Sequence, residues 1–310
     1  MAESTARMKI GVMPSLGEND MGAEAPNGQT PRFSDIRQMA QVAEEVGFDS
    51  FWLADHLLFQ MPDTPVSGQW EVFTFLSGVA ATTKRIQLGP LVACTSFRNP
   101  ALLAKMADAL DEISEGRFIL GLGAGWHQPE YDTFGYPFDH KASRFEEALK
   151  IILPLLHEGK VDFKGEYYEA RECELRPRGP SRSGPPIWIG AHRPRMLRLI
   201  AQYADAFNTV WHRTPEKVVA AYQPMLEACK EVGRDPATLS LTAGTFARIL
   251  APGEARPEGV TGMCGSPEEV AEAISGFAAV GVQHLVVIVS PEDVTGIERF
   301  STVIELLNRA

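Results

Sequence analysis

A group of chemically versatile side chains follows a short apolar run near the middle of the chain. Residues 117–135 read RFILGLGAGWHQPEYDTFG. The apolar start is typical of a buried strand, and the three glycines after it allow the backbone to approach a ligand closely, because glycine has no Cβ atom. An indole, an imidazole, a carboxylate and a phenol follow, from Trp126, His127, Glu130 and Tyr131. This combination indicates a binding surface, and the alternative is a strand and a tight turn with a packed tryptophan.

Similar residues follow other apolar runs. Asp55 and His56 come directly after SFWLA. An imidazole titrates near neutrality, so His56 is a candidate general acid or base. The residues at the ends of the remaining runs are Met13-Pro14-Ser15, Cys94-Thr95-Ser96, Ala191-His192-Arg193, Trp211-His212 and Arg248. If the runs are strands whose carboxyl ends meet at one pole, these side chains form a site that no single motif specifies.

The elements that must position these residues alternate between strand and helix. Eight continuous apolar segments predict strands that are covered on both faces, and amphipathic segments between them predict helices. The predicted strands are Met8–Met13, Ser50–Ala54, Arg85–Ala93, Phe118–Leu120, Ile187–Gly190, Ala206–Val210, Leu239–Leu250 and His284–Val289. Eight such units in 310 residues predict an α/β protein with a single (β/α)8 TIM barrel.

We assign residues 1–310 to one barrel domain with loop insertions at the carboxyl-terminal pole of the strands. Residues 158–186 contain aromatic residues and several prolines, and we expect an irregular segment in which a hairpin is one option. Residues 251–265 are rich in proline and glycine, and we expect a loop. A doubly wound open sheet is the competing architecture. It requires a G-x-G-x-x-G turn after the first strand, which residues 11–17 do not supply.

The composition argues against several classes of protein. The net charge is −11 and the basic residues form no stripe, so we expect no nucleic-acid surface. No apolar run approaches the roughly 20 residues of a membrane span, and the start of the chain lacks a secretory pattern. The four cysteines are scattered without a C-x-x-C pair, and no metal-ligand spacing appears. We therefore expect a soluble cytoplasmic protein that binds no metal, membrane or nucleic acid.

Seven segments in order carry a resemblance to a known family. They are GFDSFWLADH (47–56), TTKRIQLGPLV (82–92), RNPALLAKMADALDEISEGRF (98–118), LGLGAGWHQPEYDTFGYPF (120–138), FKGEYY (163–168), PPIWIG (185–190) and GSPEEVAEAISGFAAVGVQHLVV (265–287). Together they resemble the luciferase-like superfamily of flavin-dependent oxidoreductases, and the F420-type branch in particular. The resemblance extends over nearly the whole chain.

This resemblance implies a (β/α)8 barrel that binds a flavin, or the deazaflavin coenzyme F420, at the carboxyl-terminal pole. In our first hypothesis, the enzyme uses F420 to move a hydride to or from a small organic substrate. In the alternative, it takes reduced FMN from a partner reductase and uses oxygen as a two-component monooxygenase. A catalytically silent flavin-binding barrel is the third. A homodimer is common among such relatives and is expected here, and a flavin or F420 reductase is the expected partner.

The resemblance also assigns residues to the site. The family's Asp-His pair matches Asp55 and His56, with His56 as the proton relay. A cis peptide bond that backs the ring is expected at Leu91-Val92, and Cys94 stands where relatives often have a small polar residue. The loop after the fourth strand is expected to contact the cofactor through Trp126, Glu130 and Tyr131. The turn expected to bind the phosphate is Gly190, Ala191, His192 and Arg193, although relatives commonly have a second glycine there.

Several of these residues have structural alternatives. His56 can be a satisfied histidine at the barrel rim, and Glu130 can cap a helix or pair with Arg144. Cys94 is expected to be inert packing, because no base is evident beside it. Glu71 stands at a predicted helix start, where the helix dipole favours a carboxylate. The rim residues that can shape a substrate pocket are His127, His140, His212 and Arg248.

Overall fold

Eight parallel strands form a barrel in the computed structural model of the chain, which describes residues 7–20, 23–24, 30–257 and 263–309. The barrel strands are Lys9–Val12, Ser50–Leu53, Gln87–Pro90, Leu120–Gly123, Ile187–Gly190, Ala206–Thr209, Ser240–Ile249 and His284–Ser290. Neighbours in the chain are neighbours in the barrel, and a bridge between Leu88 and Phe118 joins the third strand to the fourth. The predicted TIM barrel is confirmed.

Helices follow the strands and cover the outside of the barrel. Their bounds are Phe33–Val46, Val72–Thr82, Pro100–Ile113, Lys141–Glu158, Pro194–Tyr203, Pro215–Val232, Pro267–Ala279, Val294–Arg299 and Ser301–Arg309. Local chemistry sets several starts: the side chain of Asn99 accepts the N–H groups of Ala101 and Leu102, and Ser266 forms a capping box with Glu269. The helical segment after the eighth strand is divided in two at Phe300.

The insertion at residues 158–186 contains an antiparallel hairpin, Lys160–Lys164 with Glu169–Glu174. The carboxylate of Glu147, on the preceding helix, accepts N–H groups at the hairpin turn from Glu166, Tyr167 and Tyr168. The turn is therefore fixed to that helix.

Part of the other predicted insertion is regular. Within residues 251–265, residues 258–262 lie outside the described part of the chain. Met263–Gly265 is a short strand that pairs in parallel with Ala247–Ile249, so the loop prediction is wrong for these three residues. Two further short pairs are Leu58–Phe59 with Ser67–Gly68, and Asn19–Asp20 with Ala23–Glu24.

Residues 1–6, on which the expectation of no secretory signal partly depends, also lie outside the described part. Among the helices that the structure describes, we find none with the length and apolar character needed to cross a bilayer.

The barrel interior is filled by two tryptophans above a buried histidine. The rings of Trp52 and Trp188 are 4.5 Å apart. The indole N–H of Trp52 donates to Oγ of Ser50 at 2.7 Å, and this hydroxyl lies 2.6 Å from Nε2 of His284. Burial, with smaller contributions from the charges of Lys9 and Arg7, lowers the pKa of His284 to about 3. His284 is therefore neutral at physiological pH and accepts the hydrogen bond from Ser50.

We expect the barrel to lose stability in mild acid because of His284. An unfolded histidine has a pKa of about 6.5, whereas the folded value is about 3. Protons then bind the unfolded chain first, so the free energy of unfolding falls as pH drops from about 6.5 towards 3, by roughly 2 kcal/mol between pH 7 and 5. Urea unfolding at the two pH values measures this difference. His284→Gln should reduce it by that amount, and His157→Gln, at an exposed helix end, should not. An unchanged difference in His284→Gln would contradict the assignment.

Candidate active site

The carboxyl ends of the barrel strands bring most of the sequence-predicted residues to one mouth, as expected for parallel strands. Asp55 and His56 follow the second strand, and Trp126 and Glu130 lie beyond the fourth. The fifth strand ends at Gly190, where the predicted phosphate turn begins. Some of these residues face the mouth, and others are buried in the wall of the site.

His56 is paired with a buried carboxylate. Its Nδ1 atom lies 3.0 Å from Oε2 of Glu130. The side chain of Glu130 is 1% exposed, and that of His56 is 18% exposed. Arg144, the partner that the sequence suggested for Glu130, pairs with Asp139 at 2.9 Å instead. The pair fixes the orientation of the imidazole ring.

The same carboxylate also holds the chain that follows His56. The backbone N–H of Leu57 donates to Oε1 of Glu130 at 2.5 Å, and that of Leu58 at 3.4 Å. Two residues further on, the N–H of Gln60 donates to Nε2 of His127 at 3.1 Å. Burial lowers the pKa of His127, which keeps this nitrogen unprotonated and able to accept. Glu130 and His127 therefore fix the backbone of residues 57–60.

These two anchors belong to a short helix, Gln128–Phe134, that the sequence reasoning missed. His127 is its N-cap, Pro129 lies in its first turn, and Gly135 ends it with a positive φ of 76°. Proline in the first turn and glycine just after the last residue are ordinary helix boundary signals. They stand in the sequence, but seven residues are too few for an amphipathic pattern to be recognised.

Asp55 lies in the wall rather than at the surface of the mouth. It is 4% exposed, and Arg98 binds both of its oxygens, at 2.6 and 3.0 Å. The backbone N–H of Cys94 also donates to Asp55, at 2.8 Å. Arg98 further binds Glu71 at 2.5 Å and lies over the ring of Phe73. A contact between Asp55 and a cofactor therefore stays a prediction.

Arg98 was not singled out in the sequence, although it directly precedes the helix start at Asn99. Burial alone would lower the pKa of its guanidinium, but the charges of Asp55 and Glu71 outweigh burial and the pKa is raised. Glu71 caps the helix Val72–Thr82 by accepting N–H groups from Phe73 and Thr74, as its position predicted.

Cys94 and Tyr131 form a second buried pair in the wall. The Tyr131 hydroxyl donates to the carbonyl of Ala124 at 2.8 Å and lies 3.1 Å from Sγ of Cys94. Tyr131 is fully buried, and burial raises the pKa of its phenol. Burial likewise raises the pKa of the Cys94 thiol to about 12. This agrees with inert packing, and the expected contacts of both residues with a cofactor stay predictions.

We expect Cys94 to resist alkylation while the protein is folded. With a pKa of about 12, only about one thiol in ten thousand is a thiolate at pH 8, and the thiolate is the nucleophile. Cys173 is half-buried and free. Iodoacetamide followed by peptide mass mapping should label Cys173 in the native protein and Cys94 only after unfolding. Equal native labelling of both would contradict the buried Cys94–Tyr131 pair.

The third strand is interrupted where the resemblance predicted a cis bond. The Leu91-Val92 peptide bond is cis, which confirms that prediction. After it the strand resumes as Ala93–Cys94, which pairs with Leu122 and Gly123. Val92 is half-buried and belongs to the cluster of residues inside the barrel.

The glycines of the fourth strand leave room for other parts of the protein. A Cβ atom on Gly123 would lie 2.7 Å from Cγ2 of Val92, and one on Gly121 would collide with the carbonyl of Pro90. At Gly125, where φ is +72°, a Cβ would collide with the Tyr131 hydroxyl. The close approach expected from these glycines is real, but the approaching groups belong to the wall of the site.

Aromatic rings border the mouth on opposite sides. Trp126 is 51% exposed, and its ring stands edge-on to His56 with 5.7 Å between centroids. Phe59 packs on the His56 ring at 4.3 Å. Across the barrel, the rings of Trp211 and Phe246 are 5.2 Å apart and both are half-buried. These rings offer flat apolar surfaces to a planar ligand.

The predicted phosphate turn lies at the end of the fifth strand. His192 and Arg193 are exposed, and Arg193 is the N-cap of the helix Pro194–Tyr203 without capping through its side chain. Within the described residues, the guanidinium of Arg193 has no ion-pair partner, whereas Arg195 pairs with Glu146. A free guanidinium beside a helix start is able to bind an anion.

The other rim candidates are engaged with neighbouring residues. His140 stacks on Tyr167 of the hairpin at 5.6 Å between centroids. His212 lies 2.6 Å from the hydroxyl of Thr209, and Arg248 donates to Glu254 at 2.7 Å. The geometry therefore concentrates candidate proton chemistry at His56.

Solved structures of other proteins share this fold. An F420-dependent secondary alcohol dehydrogenase, solved with an F420-acetone adduct, superposes with a TM-score of 0.78 over 97% of this chain and 99% of that chain, at 22% identity. The monooxygenase RslO1 from Streptomyces bottropensis gives a TM-score of 0.77 over 98% of this chain and 100% of that chain, at 20% identity. At these identities the likeness establishes the fold alone.

Relatives found by sequence are more informative about the family of the chain. The pyrimidine monooxygenase RutA of Klebsiella pneumoniae subsp. pneumoniae is 33% identical over 253 residues. The match covers 74% of this chain but only 64% of RutA, so the chain spans less than two thirds of that relative's length. Residues 8–256 match the family model described as luciferase-like monooxygenase. The barrel and this match establish that the chain is an oxidoreductase of the luciferase-like monooxygenase family.

Proposed function

We propose that the chain is an FMN-dependent monooxygenase that receives reduced flavin from a separate reductase and oxidises a small planar heterocycle of the pyrimidine class. The observation that carries the proposal is the 33% identity to a pyrimidine monooxygenase over 74% of the chain. This reverses the order of our sequence hypotheses, in which F420 came first. The expected homodimer stays a prediction.

The residues at the mouth fit a flavin. A flat ring system requires apolar surfaces on its faces, and Leu91, Val92, Trp211 and Phe246 provide them inside the upper barrel. A phosphate requires a positive site, and the helix start at Pro194 with the unpaired Arg193 is suited to it. When bound, reduced FMN supplies the activation of oxygen, and the protein supplies binding and orientation.

The chain's own residues then have distinct tasks. His56 accepts or returns a proton at Nε2, because Nδ1 is occupied by Glu130. Trp126 and Phe59 form an aromatic wall beside His56, which excludes water and orients a planar substrate. Asp55, Cys94 and the other buried groups fix the backbone segments that carry these side chains.

F420-dependent hydride transfer is the second candidate. Its support is the resemblance of the sequence segments to the F420-type branch, and the F420-dependent alcohol dehydrogenase shares only the fold, at 22% identity. The same apolar mouth would accept a deazaflavin ring. The two candidates differ in whether oxygen enters the product.

Turnover under ¹⁸O₂ tests the proposal. The purified chain is incubated with uracil, NADH, FMN and a flavin reductase, and the products are analysed by mass spectrometry. Incorporation of one ¹⁸O atom into a uracil-derived product is the expected result. Oxidation or reduction of a substrate with F420 and without oxygen incorporation would favour the second candidate. A silent flavin-binding barrel would bind FMN and yield no product with any pyrimidine.

A further inference from the structure

We infer that Glu130 is a positioning residue that sets the tautomer of His56 and so leaves Nε2 free to accept a proton. This inference deepens the proposed function and rests on it for the role of His56. It differs from the sequence prediction, in which Glu130 contacts the cofactor.

The two oxygens of Glu130 have separate partners. Oε1 accepts the backbone N–H groups of Leu57 and Leu58, and Oε2 faces Nδ1 of His56 at 3.0 Å. An ionised carboxylate has no hydrogen to donate. The hydrogen of this bond therefore belongs to Nδ1, and this tautomer of the imidazole has its lone pair on Nε2.

The surroundings of Glu130 strengthen this assignment. Its side chain is 1% exposed, and among the described residues His56 is its one ion-pair partner. A buried carboxylate with a single ring N–H beside it favours that N–H strongly, because an unpaired buried charge is costly. When Nε2 takes a proton from the substrate, the positive charge that develops on the ring is met by Glu130. The proton can then return to the product or to solvent from the same nitrogen.

An isosteric amide separates this role from simple support of the backbone. In Glu130→Gln the side chain has one oxygen and one NH₂ group. The amide oxygen must face the N–H groups of Leu57 and Leu58. If the NH₂ group faced them instead, hydrogen-bond donors would meet donors and no hydrogen bond could form. The NH₂ group then faces Nδ1 of His56, which must accept. The ring proton moves to Nε2, and the basic lone pair is no longer available for the substrate.

The test combines histidine NMR with kinetics. In ¹⁵N-histidine-labelled wild-type protein, His56 should give the signature of a protonated Nδ1 and an unprotonated Nε2. In Glu130→Gln the two signatures should exchange, and kcat should fall about 10²–10⁴-fold, the range for loss of general-base catalysis, with KM changed little. Comparable losses follow when a catalytic histidine is held in the wrong tautomer.

Glu18→Gln is the matched control. Glu18 accepts the N–H of Gly68 at 2.7 Å and so holds the other strand of the short pair that begins at Leu58. It has no histidine partner among the described residues. The His56 signature and kcat should be unchanged in this variant.

Each outcome decides a separate point. A protonated Nε2 on neutral His56 in the wild type would overturn the inference, even if Glu130→Gln failed to fold. The wild-type tautomer retained in a folded Glu130→Gln variant would also overturn it. Exchanged tautomers with unchanged kcat would uphold the control of the tautomer and remove His56 from the proposed chemistry. Loss of kcat in a His56 variant, together with an unaltered tautomer in Glu130→Gln, would support the proposed function and overturn the inference about Glu130.

Discussion

Replacing His56 with glutamine is expected to lower kcat about 10²–10⁴-fold, the contribution of a positioned general acid or base. The glutamine side chain is long and flexible enough to turn its NH₂ group towards Oε2 of Glu130, which lies 3.0 Å from Nδ1 of His56. The carboxylate therefore keeps a partner, and the fold should survive. The amide cannot take up a proton near neutral pH, so the expected loss is chemical. Steady-state turnover of uracil with the flavin reductase measures it.

The control for this prediction is His157→Gln, an exposed position at the end of the helix Lys141–Glu158. It should leave kcat unchanged. Circular dichroism and the affinity for reduced FMN should match the wild type in both variants. A His56→Gln variant with wild-type kcat would remove the proton-relay role from His56.

Arg98→Met is expected to lower the free energy of unfolding by about 3–5 kcal/mol, the usual effect of removing one partner from a buried ion pair. Asp55 is 4% exposed and would lose both guanidinium hydrogen bonds. Among the residues that the structure describes, its remaining partner would be the backbone N–H of Cys94. The packing of the guanidinium on Phe73 would also be lost. Urea unfolding at pH 7 measures the change.

Two further variants test whether the unpaired charge of Asp55 causes this loss of stability. Asp55→Asn combined with Arg98→Met should recover part of the loss, because a neutral amide still accepts the Cys94 N–H without a buried charge. Arg176→Met removes a guanidinium that is 78% exposed and paired with Glu174, and it should change stability by less than about 1 kcal/mol. An Arg98→Met variant as stable as Arg176→Met would show that Asp55 is hydrated or protonated.

Apolar runs and turn residues were sufficient to predict the barrel. The fifth strand, Ile187–Gly190, was predicted with the observed bounds, and the helix Pro194–Tyr203 follows it as the alternation of strand and helix requires. The reason is physical: strands covered on both faces are continuously apolar, and each ends at residues that cannot continue it. The resemblance added the cis bond at Leu91-Val92, which no pattern of residue types reveals.

The roles of individual polar residues could not be read from the sequence. Asp55, Glu130 and Tyr131 are the types of residue that contact cofactors, yet each forms its observed bonds with the protein. Their partners lie between 7 and 74 positions away in the chain, and which atoms meet depends on the closure of the barrel. Arg98 was missed for the same reason. Gly123 predicted a close approach correctly, but its partner, Val92, depends on the path of the third strand.

The central claim is that the chain uses reduced FMN. Its most direct test is an anaerobic titration of the purified protein with reduced FMN and, separately, reduced F420. Quenching of tryptophan fluorescence reports binding, because Trp126 is 51% exposed and Trp211 is half-buried at the mouth. We predict saturable quenching by reduced FMN, diminished in Trp126→Phe, and much weaker binding of F420. Tight binding of F420 without binding of reduced FMN would contradict the proposed function.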